Sequence, residues 1–487
     1  MNTSAPPSAV LTRVGTRARA ASTPKPIPKL REGNNPGHHS PFHGIDPRLE
    51  FLLRTRLPNG KRVELLYRPH TPELRWANTG ESVSLKPVGL DYDLDPDRKW
   101  PIACAISPDN PGRKHLPIRA LKIQMGLKCN YRCGYCNQTA RPDDSHGNPA
   151  LAREFLDKMP SWFEPPPDDE KLRIEFWGGE PFVYWKTMRL LGEVLRSRYP
   201  QALLNVVTNG SILDDEKIAW LEQHRVQVSV SHDGPGQAAN RGGDPFDRPA
   251  SAEALRKLYS RLRPLGLINF NCVLARNNMS LSAVRTYIAE KLGCRPEELP
   301  LATEEIVLPY EETGMDLSFR SKAESQIFKQ VFVKELADGS VLGVLNIREK
   351  LRDFFLSLAK GRPSHALAQR CGMDREDTLA VDLLGNVLTC QNTAAGDGHA
   401  IGHVSDLGNA RLDTARHWLT RNECHRCPVI QLCKGACMRL DGEQWRQACR
   451  NSFAYNIVLL KMAVGLLAGL RSGEDKNQTT SLLAGRI

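Results

Sequence analysis

The sequence predicts an α/β protein in which a partial barrel of parallel strands is followed by a smaller cysteine-rich domain. Between about residues 115 and 310, short apolar runs with a period of two alternate with helix-like segments. Parallel strands need crossover helices, so six such repeats indicate a partial (β/α)6 barrel of the TIM type. After residue 361 the sequence becomes irregular and rich in glycine and cysteine.

The charge distribution bears on the class of partner. The 487-residue chain has a formal net charge of +11, and six of those charges lie in the acid-free segment 1–31. Residues 1–45 are therefore expected to form a disordered basic tail, and the rest is only mildly basic. This distribution weighs against nucleic acid as a partner.

The apolar stretches predict no membrane span. The closest, residues 455–470, is short and is interrupted by Lys461. With no recognisable signal peptide, the expected compartment is the cytoplasm, where thiols stay reduced. Thirteen cysteines in such a compartment indicate metal binding.

The elements can be assigned in chain order. A turn signal at Asn59-Gly60 between strand-like runs predicts a small β-rich element. The expected divisions are this element over 46–115, the barrel over 116–320, a helical bridge over 321–365, the cysteine-rich domain over 366–452, and a C-terminal helix and tail over 453–487. The predicted strands are "ALKIQM", "LRIEFW", "LLNVVT", "VQVSVS", "INFNCVLA" and "EEIVLP". Helices are expected at 185–199, 214–224, 251–263 and 280–292, the last three beginning at the capping residues Asp214, Ser251 and Ser280.

Residues suited to chemistry follow the first four predicted strands. Catalytic groups of β/α barrels lie at the C-terminal ends of the strands, so these four loops should meet at one mouth. They contain, in order, a cysteine triplet, "GGEP" (178–181), "TNG" (208–210) and "SHDG" (231–234).

The triplet Cys129, Cys133 and Cys136 has the spacing C-x3-C-x2-C. A structural zinc ion needs four protein ligands, whereas three thiolates can hold a [4Fe-4S] cluster whose fourth iron stays open to a cofactor. With Tyr135 before the last cysteine and "GGEP" after the next strand, the pattern resembles the radical S-adenosylmethionine superfamily.

That resemblance implies that the open iron binds the amino and carboxylate groups of S-adenosylmethionine. One electron then cleaves the cofactor to a 5′-deoxyadenosyl radical. The resemblance assigns Gly178, Gly179, Glu180 and Pro181 to the loop that receives the amino group. It also implies ribose or carboxylate contacts from a polar set that turn chemistry would explain as well, namely Asn209, Ser229, Ser231, Asp233 and Arg241.

The second group of cysteines resembles the SPASM extension of peptide and protein maturases. Its spacing ends in C-x2-C-x5-C-x3-C followed by one more cysteine, and a zinc ribbon would leave three of the seven unused. The resemblance implies two auxiliary [4Fe-4S] clusters. One would be held by Cys424, Cys427, Cys433 and Cys449, the other by Cys371, Cys390 and Cys437.

The cluster of Cys371, Cys390 and Cys437 lacks an evident fourth cysteine. Cys294, Cys104, His365 and a vacant iron that binds substrate are the alternatives. The remaining thiol, Cys272, is expected in the core because it lies on the apolar side of its strand.

Two auxiliary clusters favour net oxidation of a substrate radical, because they can accept its electron. The resemblance therefore implies a maturase that modifies, and by expectation crosslinks, side chains of a ribosomally synthesised peptide. The alternatives are a sulfatase-type formylglycine maturase and a non-catalytic iron–sulfur electron carrier or sensor. The implied partners are a precursor peptide or protein and an electron donor such as flavodoxin or ferredoxin. The sequence singles out no general base.

Overall fold

The computed structural model describes residues 10–13, 44–56, 61–138, 147–310 and 312–469. Most of the expected tail lies outside these ranges. Its described segment, Val10–Arg13 (β1), pairs antiparallel with the first strand of a small sheet. That sheet continues through Phe51–Arg56 (β2), Arg62–Arg68 (β3) and Glu73–Trp76 (β4) in the order β1-β2-β3-β4. The turn at Asn59-Gly60 lies outside the described residues.

Six parallel strands confirm the predicted partial barrel. After a short strand, Gly112–Arg113 (β5), they follow one another in the sheet in chain order. Their bounds are Ala120–Gln124 (β6), Arg173–Trp177 (β7), Leu203–Thr208 (β8), Gln227–Ser231 (β9), Ile268–Leu274 (β10) and Leu301–Ile306 (β11).

The helices of the barrel differ from expectation in three places, one being the short helix Gln237–Arg241, which was not predicted. A helix at Pro149–Lys158 (α1) was not predicted, and the helix expected to begin at Ser251 begins at Pro249 instead. Proline suits the first helical position because its missing N–H has no intrahelical acceptor there, while the Ser251 hydroxyl donates to the Ser211 carbonyl. The remaining helices are Trp185–Arg198 (α2), Asp215–Gln223 (α3), Gln237–Arg241 (α4), Pro249–Leu262 (α5) and Leu281–Leu292 (α6).

The strands alternate between a helix-facing and a cavity-facing side. Val206, Val228 and Phe270 are fully buried against the outer helices. Their neighbours Asn205 and Ser229 line a central cavity instead. Period-two alternation therefore produces a polar barrel interior open to ligands.

The cysteine-rich region extends the barrel sheet. Thr378–Asp382 (β12) pairs parallel with β6, and Asn386–Leu388 (β13) and Ala400–His403 (β14) follow it antiparallel. Arg411–Leu412 (β15) pairs with β5. The helices here and in the bridge are Glu312–Leu317 (α7), Lys322–Ala337 (α8), Leu345–Lys360 (α9), Ile430–Cys433 (α10) and Gly442–Leu467 (α11).

Helix α11 crosses the boundary that was expected at residue 452. It begins after Asp441, whose carboxylate accepts a hydrogen bond from the Gly442 N–H, and Cys449 is therefore a helical residue. Its apolar length packs on α8 through Tyr455 and Phe332, whose ring centroids lie 4.8 Å apart. Among the helices of the described residues, none is long and apolar enough to cross a membrane.

Candidate functional site

The cysteine triplet lies on the loop that leaves β6 at the barrel mouth. The thiols of Cys129, Cys133 and Cys136 interact electrostatically with one another. Burial, with a contribution from these neighbouring thiols, raises the pKa of Cys129 to about 11 and that of Cys133 to about 12. Iron binds the thiolate form, so cluster binding at this site would have to displace these protons.

The "GGEP" loop packs against the backbone that enters the triplet. The Gly179 N–H donates to the Gly126 carbonyl at 3.0 Å, and the Glu180 N–H donates to the Lys128 carbonyl at 3.0 Å. A Cβ atom on Gly179 would lie 2.4 Å from the carbonyl oxygens of Leu127 and Lys128. Only glycine permits this approach, which fixes the two loops side by side.

Glu180 is a buried carboxylate at the centre of this rim, 1% exposed. It accepts hydrogen bonds from the Thr208 hydroxyl at 2.8 Å, the Asn209 N–H at 2.7 Å and the Phe182 N–H at 3.1 Å. Burial outweighs these donors and raises the pKa of Glu180 to about 7. A neighbouring cation would favour its charged form.

Asn209 connects the third strand-end loop to the triplet. Its side chain donates to the Asn130 side chain at 2.9 Å and lies within electrostatic reach of the Cys129 thiol. The side-chain amide oxygen of Asn209 accepts a hydrogen bond from the Ser211 hydroxyl. Asn209 therefore holds the cysteine loop, a contact that sequence reasoning did not foresee.

Asp233 and Arg241 form a buried support beneath the triplet. The Asp233 carboxylate accepts from the Tyr135 hydroxyl at 2.7 Å, the Arg241 guanidinium at 3.1 Å and the Val273 N–H at 2.9 Å. Asp233 has no exposed surface, so its carboxylate serves to hold Tyr135 and Arg241 in place. Arg241 lies 5.3 Å from the centre of the Tyr135 ring and within electrostatic reach of Cys133.

The two serines of β9 are placed differently. Ser229 lines the central cavity and accepts a hydrogen bond from Asn269 at 3.0 Å. Ser231 is half-buried on the same face, two residues nearer the mouth.

The central cavity has a volume of about 1000 Å³ and is bounded by both the barrel and the cysteine-rich region. Its charged groups are largely paired: Lys122 lies 3.2 Å from Glu175, and Glu305 lies 2.6 Å from Lys350 and 2.7 Å from Arg370. Polar strand residues complete the walls. The cavity thus suits a polar chain with its own hydrogen-bonding groups.

Sequence reasoning missed Glu305. In a regular strand, neighbouring side chains face opposite sides, but a register shift in β11 brings both Glu304 and Glu305 to the cavity. Glu305 has a φ of +69°, and its ion pairs hold it there. No local sequence signal marks a bulge, but the adjacent pair of glutamates at a strand end was a usable hint.

Four thiols of the cysteine-rich region form one group. Cys424 interacts electrostatically with Cys433, Cys427 and Cys449. Burial first, then the neighbouring thiols, raises the pKa of Cys424 well above its ordinary value and that of Cys449 to about 12. The group coincides with one of the two sets that the SPASM resemblance implied.

Three more thiols form a second group at the cavity wall. Cys371 interacts with Cys437 and Cys390, and both Cys371 and Cys437 line the cavity. Burial followed by the Cys437 charge raises the pKa of Cys371 to about 12 and that of Cys390 to about 11. Cys272 is fully buried in the core, as expected.

The spacing of these thiols also bears on the metal. Within the described ranges, no three cysteine, histidine or acidic side chains approach closely enough to hold one metal ion. Zinc–sulfur bonds of about 2.3 Å draw ligand sulfurs close together, whereas a four-iron cluster spaces them more widely. The described side chains therefore offer no preformed site for a single metal ion.

Hydrogen bonds join the loop after Cys136 to the loop after Cys390. Asn137 donates to the Asn392 carbonyl at 2.9 Å, and the Trp177 indole donates to the Asn392 side chain at 3.0 Å. Gln124 of β6 donates to the carbonyls of Gln391 and Thr393, both at 2.8 Å. The barrel triplet and the three-thiol group are thus held on directly bonded loops.

Two curated relatives match about two thirds of the chain. The radical SAM cyclopropyl synthase TigE of Paramaledivibacter caminithermalis is 21% identical over 354 residues, covering 66% of this chain and 68% of the relative. The cysteine-type anaerobic sulfatase-maturating enzyme of Clostridium perfringens is 24% identical over 361 residues, covering 66% of this chain and 89% of the relative. The chain is a radical S-adenosylmethionine enzyme. No family model matches its sequence.

The fold of this radical S-adenosylmethionine enzyme is similar to that of a solved maturase. The structure of anSMEcpe with bound AdoMet superposes with a TM-score of 0.52 at 17% identity, covering 72% of this chain and 98% of that chain. This likeness confirms the α/β architecture. The matches to the radical S-adenosylmethionine relatives in sequence, and not this likeness in fold, support a [4Fe-4S] cluster and S-adenosylmethionine as the cofactors.

Proposed function

We propose that this enzyme oxidatively modifies side chains of a ribosomally synthesised peptide, forming carbon–carbon, thioether or ether crosslinks. The proposal assigns Cys129, Cys133 and Cys136 to the barrel cluster. It assigns the two thiol groups of the cysteine-rich region to two auxiliary [4Fe-4S] clusters. The curated relatives are named as a radical SAM cyclopropyl synthase and an anaerobic sulfatase-maturating enzyme, and these names support a radical modification in general terms.

The observation that carries the proposal is the bonded pair of loops after Cys136 and Cys390. When bound, S-adenosylmethionine and the barrel cluster supply a radical that removes a hydrogen atom from the substrate. Net oxidation then requires an electron acceptor close by. The contacts of Asn137 and Trp177 with Asn392 hold the three-thiol group beside the barrel mouth. An electron that leaves the substrate radical would then have only a short distance to travel.

The remaining residues of the site bind and orient. Gly178 to Pro181 would receive the amino group of S-adenosylmethionine, with Glu180 supplying negative charge near that cation. Ser229, Asn205 and Asn271 line the cavity where the peptide would lie, and their side chains can pair with backbone amides. The ion pairs around Lys122 and Glu305 keep that cavity polar without a strong net charge.

A formylglycine maturase is the second candidate, favoured by the match that spans 89% of the sulfatase-maturating enzyme. The two functions differ in product. Crosslinking joins two residues of one peptide, whereas formylglycine formation converts one Cys or Ser to an aldehyde.

The test is to incubate the anaerobically reconstituted enzyme, reductant and S-adenosylmethionine with peptides encoded by short reading frames beside the gene. Tandem mass spectrometry should find a loss of two hydrogen atoms and fragments in which two residues remain joined. A sulfatase-derived peptide serves as the comparison substrate. Aldehyde formation in that peptide, with no joined residues in any other, would replace the proposal by the second candidate.

A further inference from the structure

The two thiol groups of the cysteine-rich region lie on chain segments that are directly bonded to each other. Arg370 immediately precedes Cys371 of the three-thiol group, and Lys434 immediately follows Cys433 of the four-thiol group. The Arg370 N–H donates to the Lys434 carbonyl at 3.0 Å. This backbone hydrogen bond fixes one segment of each group against the other.

A buried carboxylate of the barrel joins the same two segments. Glu305 of β11 lies 2.7 Å from the Arg370 guanidinium and 2.6 Å from the Lys350 ammonium of α9. The Lys350 ammonium also donates to the Leu432 carbonyl at 2.6 Å, and Leu432 immediately precedes Cys433. Glu305 therefore holds two cations, one next to each thiol group.

Glu305, Lys350 and Arg370 are here called the charge junction. Their side chains are 2%, 14% and 24% exposed, so water screens their charges weakly. Two close cations favour the ionised form of the Glu305 carboxylate. The Asn456 side chain completes the charge junction, since it donates to Glu305 at 3.3 Å and accepts from Lys350 at 3.0 Å. The charge junction thus has one negative and two positive charges.

We propose that the charge junction sets the reduction potentials of the two auxiliary clusters by holding a net positive charge beside both. Reduction adds one electron to a cluster, so a nearby positive charge favours the reduced form and raises the potential. A nearby negative charge lowers it. The inference rests on the proposed auxiliary clusters. It makes Glu305 a positioning residue, which acts on the clusters through the two cations that it holds.

The charge junction predicts potential shifts of opposite sign. Glu305→Gln removes the negative charge and should raise both auxiliary potentials. Lys350→Met removes a positive charge and should lower the potential of the four-thiol cluster most, because Lys350 is bonded next to Cys433. Arg370→Met should lower that of the three-thiol cluster most. The double variant Glu305→Gln/Lys350→Met has the net charge of wild type and should return close to its potentials.

The chain offers a matched control in Glu50. This carboxylate also joins two cations, because it lies 3.1 Å from Arg68 and 2.8 Å from Arg75. It belongs to the small N-terminal sheet region, whose strands contain no cysteine. Glu50→Gln therefore removes a paired carboxylate away from the thiol groups and should leave the auxiliary potentials unchanged.

The test is a potentiometric titration of the reconstituted full-length enzyme, followed by electron paramagnetic resonance. The triple alanine variant of the barrel triplet identifies the barrel-cluster signal, so that the auxiliary signals can be separated from it. The expected result is a rise in Glu305→Gln, a fall in Lys350→Met and a return in the double variant. Unchanged potentials, shifts of one sign in both single variants, or an equal shift in Glu50→Gln would overturn the inference, since loosened packing does not follow the sign of a charge.

A conservative variant keeps the test decisive where Glu305→Gln loses auxiliary iron. Lys350→Met removes the positive charge, whereas Lys350→Arg keeps it. The first variant should lower the auxiliary potentials, and the second should leave them close to wild type. Equal potentials in the two variants would contradict the role of the charge.

Iron content separates this inference from the function on which it rests. Three clusters correspond to about twelve irons per chain, and the barrel cluster alone to about four. About four irons in wild type would show that the proposed auxiliary clusters are wrong. About twelve irons, with auxiliary potentials that do not follow the charge changes, would refute only the role of the charge junction.

Discussion

The barrel mouth and the cysteine-rich region assemble their thiols in different ways. At the mouth, one short loop carries Cys129, Cys133 and Cys136, and neighbouring strand ends support it. In the cysteine-rich region each group collects thiols from distant segments, as Cys371 meets Cys437 and Cys424 meets Cys449. The mouth is therefore encoded locally, whereas the auxiliary groups depend on the completed fold. Substitutions should separate the two regions.

The largest effect is expected from replacing Cys129, Cys133 and Cys136 together by alanine. Cleavage of S-adenosylmethionine should be abolished, because the iron that binds the cofactor is lost. Iron should fall from about twelve to about eight per chain, since the auxiliary thiols are untouched. Iron analysis measures the loss of iron, and a reductant-driven assay for 5′-deoxyadenosine measures the cleavage of S-adenosylmethionine. Retained cleavage would contradict the assignment of the triplet.

The complementary change is Cys427→Ala in the four-thiol group. We expect iron to fall to about eight per chain and peptide product to disappear. The 5′-deoxyadenosine assay should still give product, because the barrel mouth does not use this thiol. The same assay with Cys272→Ser, a buried thiol outside all three groups, controls for losing a core cysteine. Loss of both activities in Cys427→Ala alone would show that the two regions are not separable.

A smaller effect is expected from Gly179→Ala at the mouth. The new methyl group would press on the carbonyls of Leu127 and Lys128 and displace the cysteine loop. We expect 5′-deoxyadenosine formation to fall more than tenfold, equivalent to about 1.4 kcal/mol or more, while auxiliary iron stays. Gly266→Ala is a control at a glycine with open space around it, although its φ of +67° adds modest backbone strain. Equal activity in Gly179→Ala and wild type would contradict the close approach of the loops.

The smallest effect concerns the pH dependence of apoprotein stability. The pKa of Glu180 is raised by burial from 4.5 to about 7. Its stabilising contribution is therefore present below pH 4.5 and is lost as the pH rises through 7, by about 3 kcal/mol at most. The Glu180→Gln variant should lose that dependence. Its free energy of unfolding should therefore rise relative to that of wild type as the pH increases from 5.5 to 8.5.

Urea titrations at several pH values measure this difference. Glu193→Gln, at a partly exposed carboxylate on α2 that pairs with Arg189, is the control for removing a glutamate outside the site. A constant difference between Glu180→Gln and wild type across the range would contradict the raised pKa.

Much of the fold was predictable because its signals are local. Period-two apolar runs gave the first five barrel strands, whereas the sixth, expected at 304–309, lies at Leu301–Ile306. The capping residues Asp214 and Ser280 gave two helix starts. Helix α1 was missed although its sequence carries a start signal, since Asn148 caps it and Pro149 occupies its first position. The start of α11 was placed too late because its polar first turns read as part of the cysteine-rich region.

The site was less predictable where contacts are long-range. The family resemblance grouped the thiols, but it could not show that the Asp233 carboxylate is bonded to Tyr135 and Arg241. Nor could it show that Asn392 joins the two thiol loops, since Asn137 and Trp177 meet this residue only after the cysteine-rich region folds onto the barrel. Such partners follow from tertiary packing and leave no periodic trace in the sequence.

The most direct test of the account is anaerobic reconstitution with iron and sulfide, followed by iron counting and a reductant-driven assay for 5′-deoxyadenosine. The account predicts about twelve irons per chain together with 5′-deoxyadenosine, as three clusters and cofactor cleavage require. About eight irons with no 5′-deoxyadenosine would contradict it, and would identify a protein that keeps its auxiliary clusters as an electron carrier without radical chemistry.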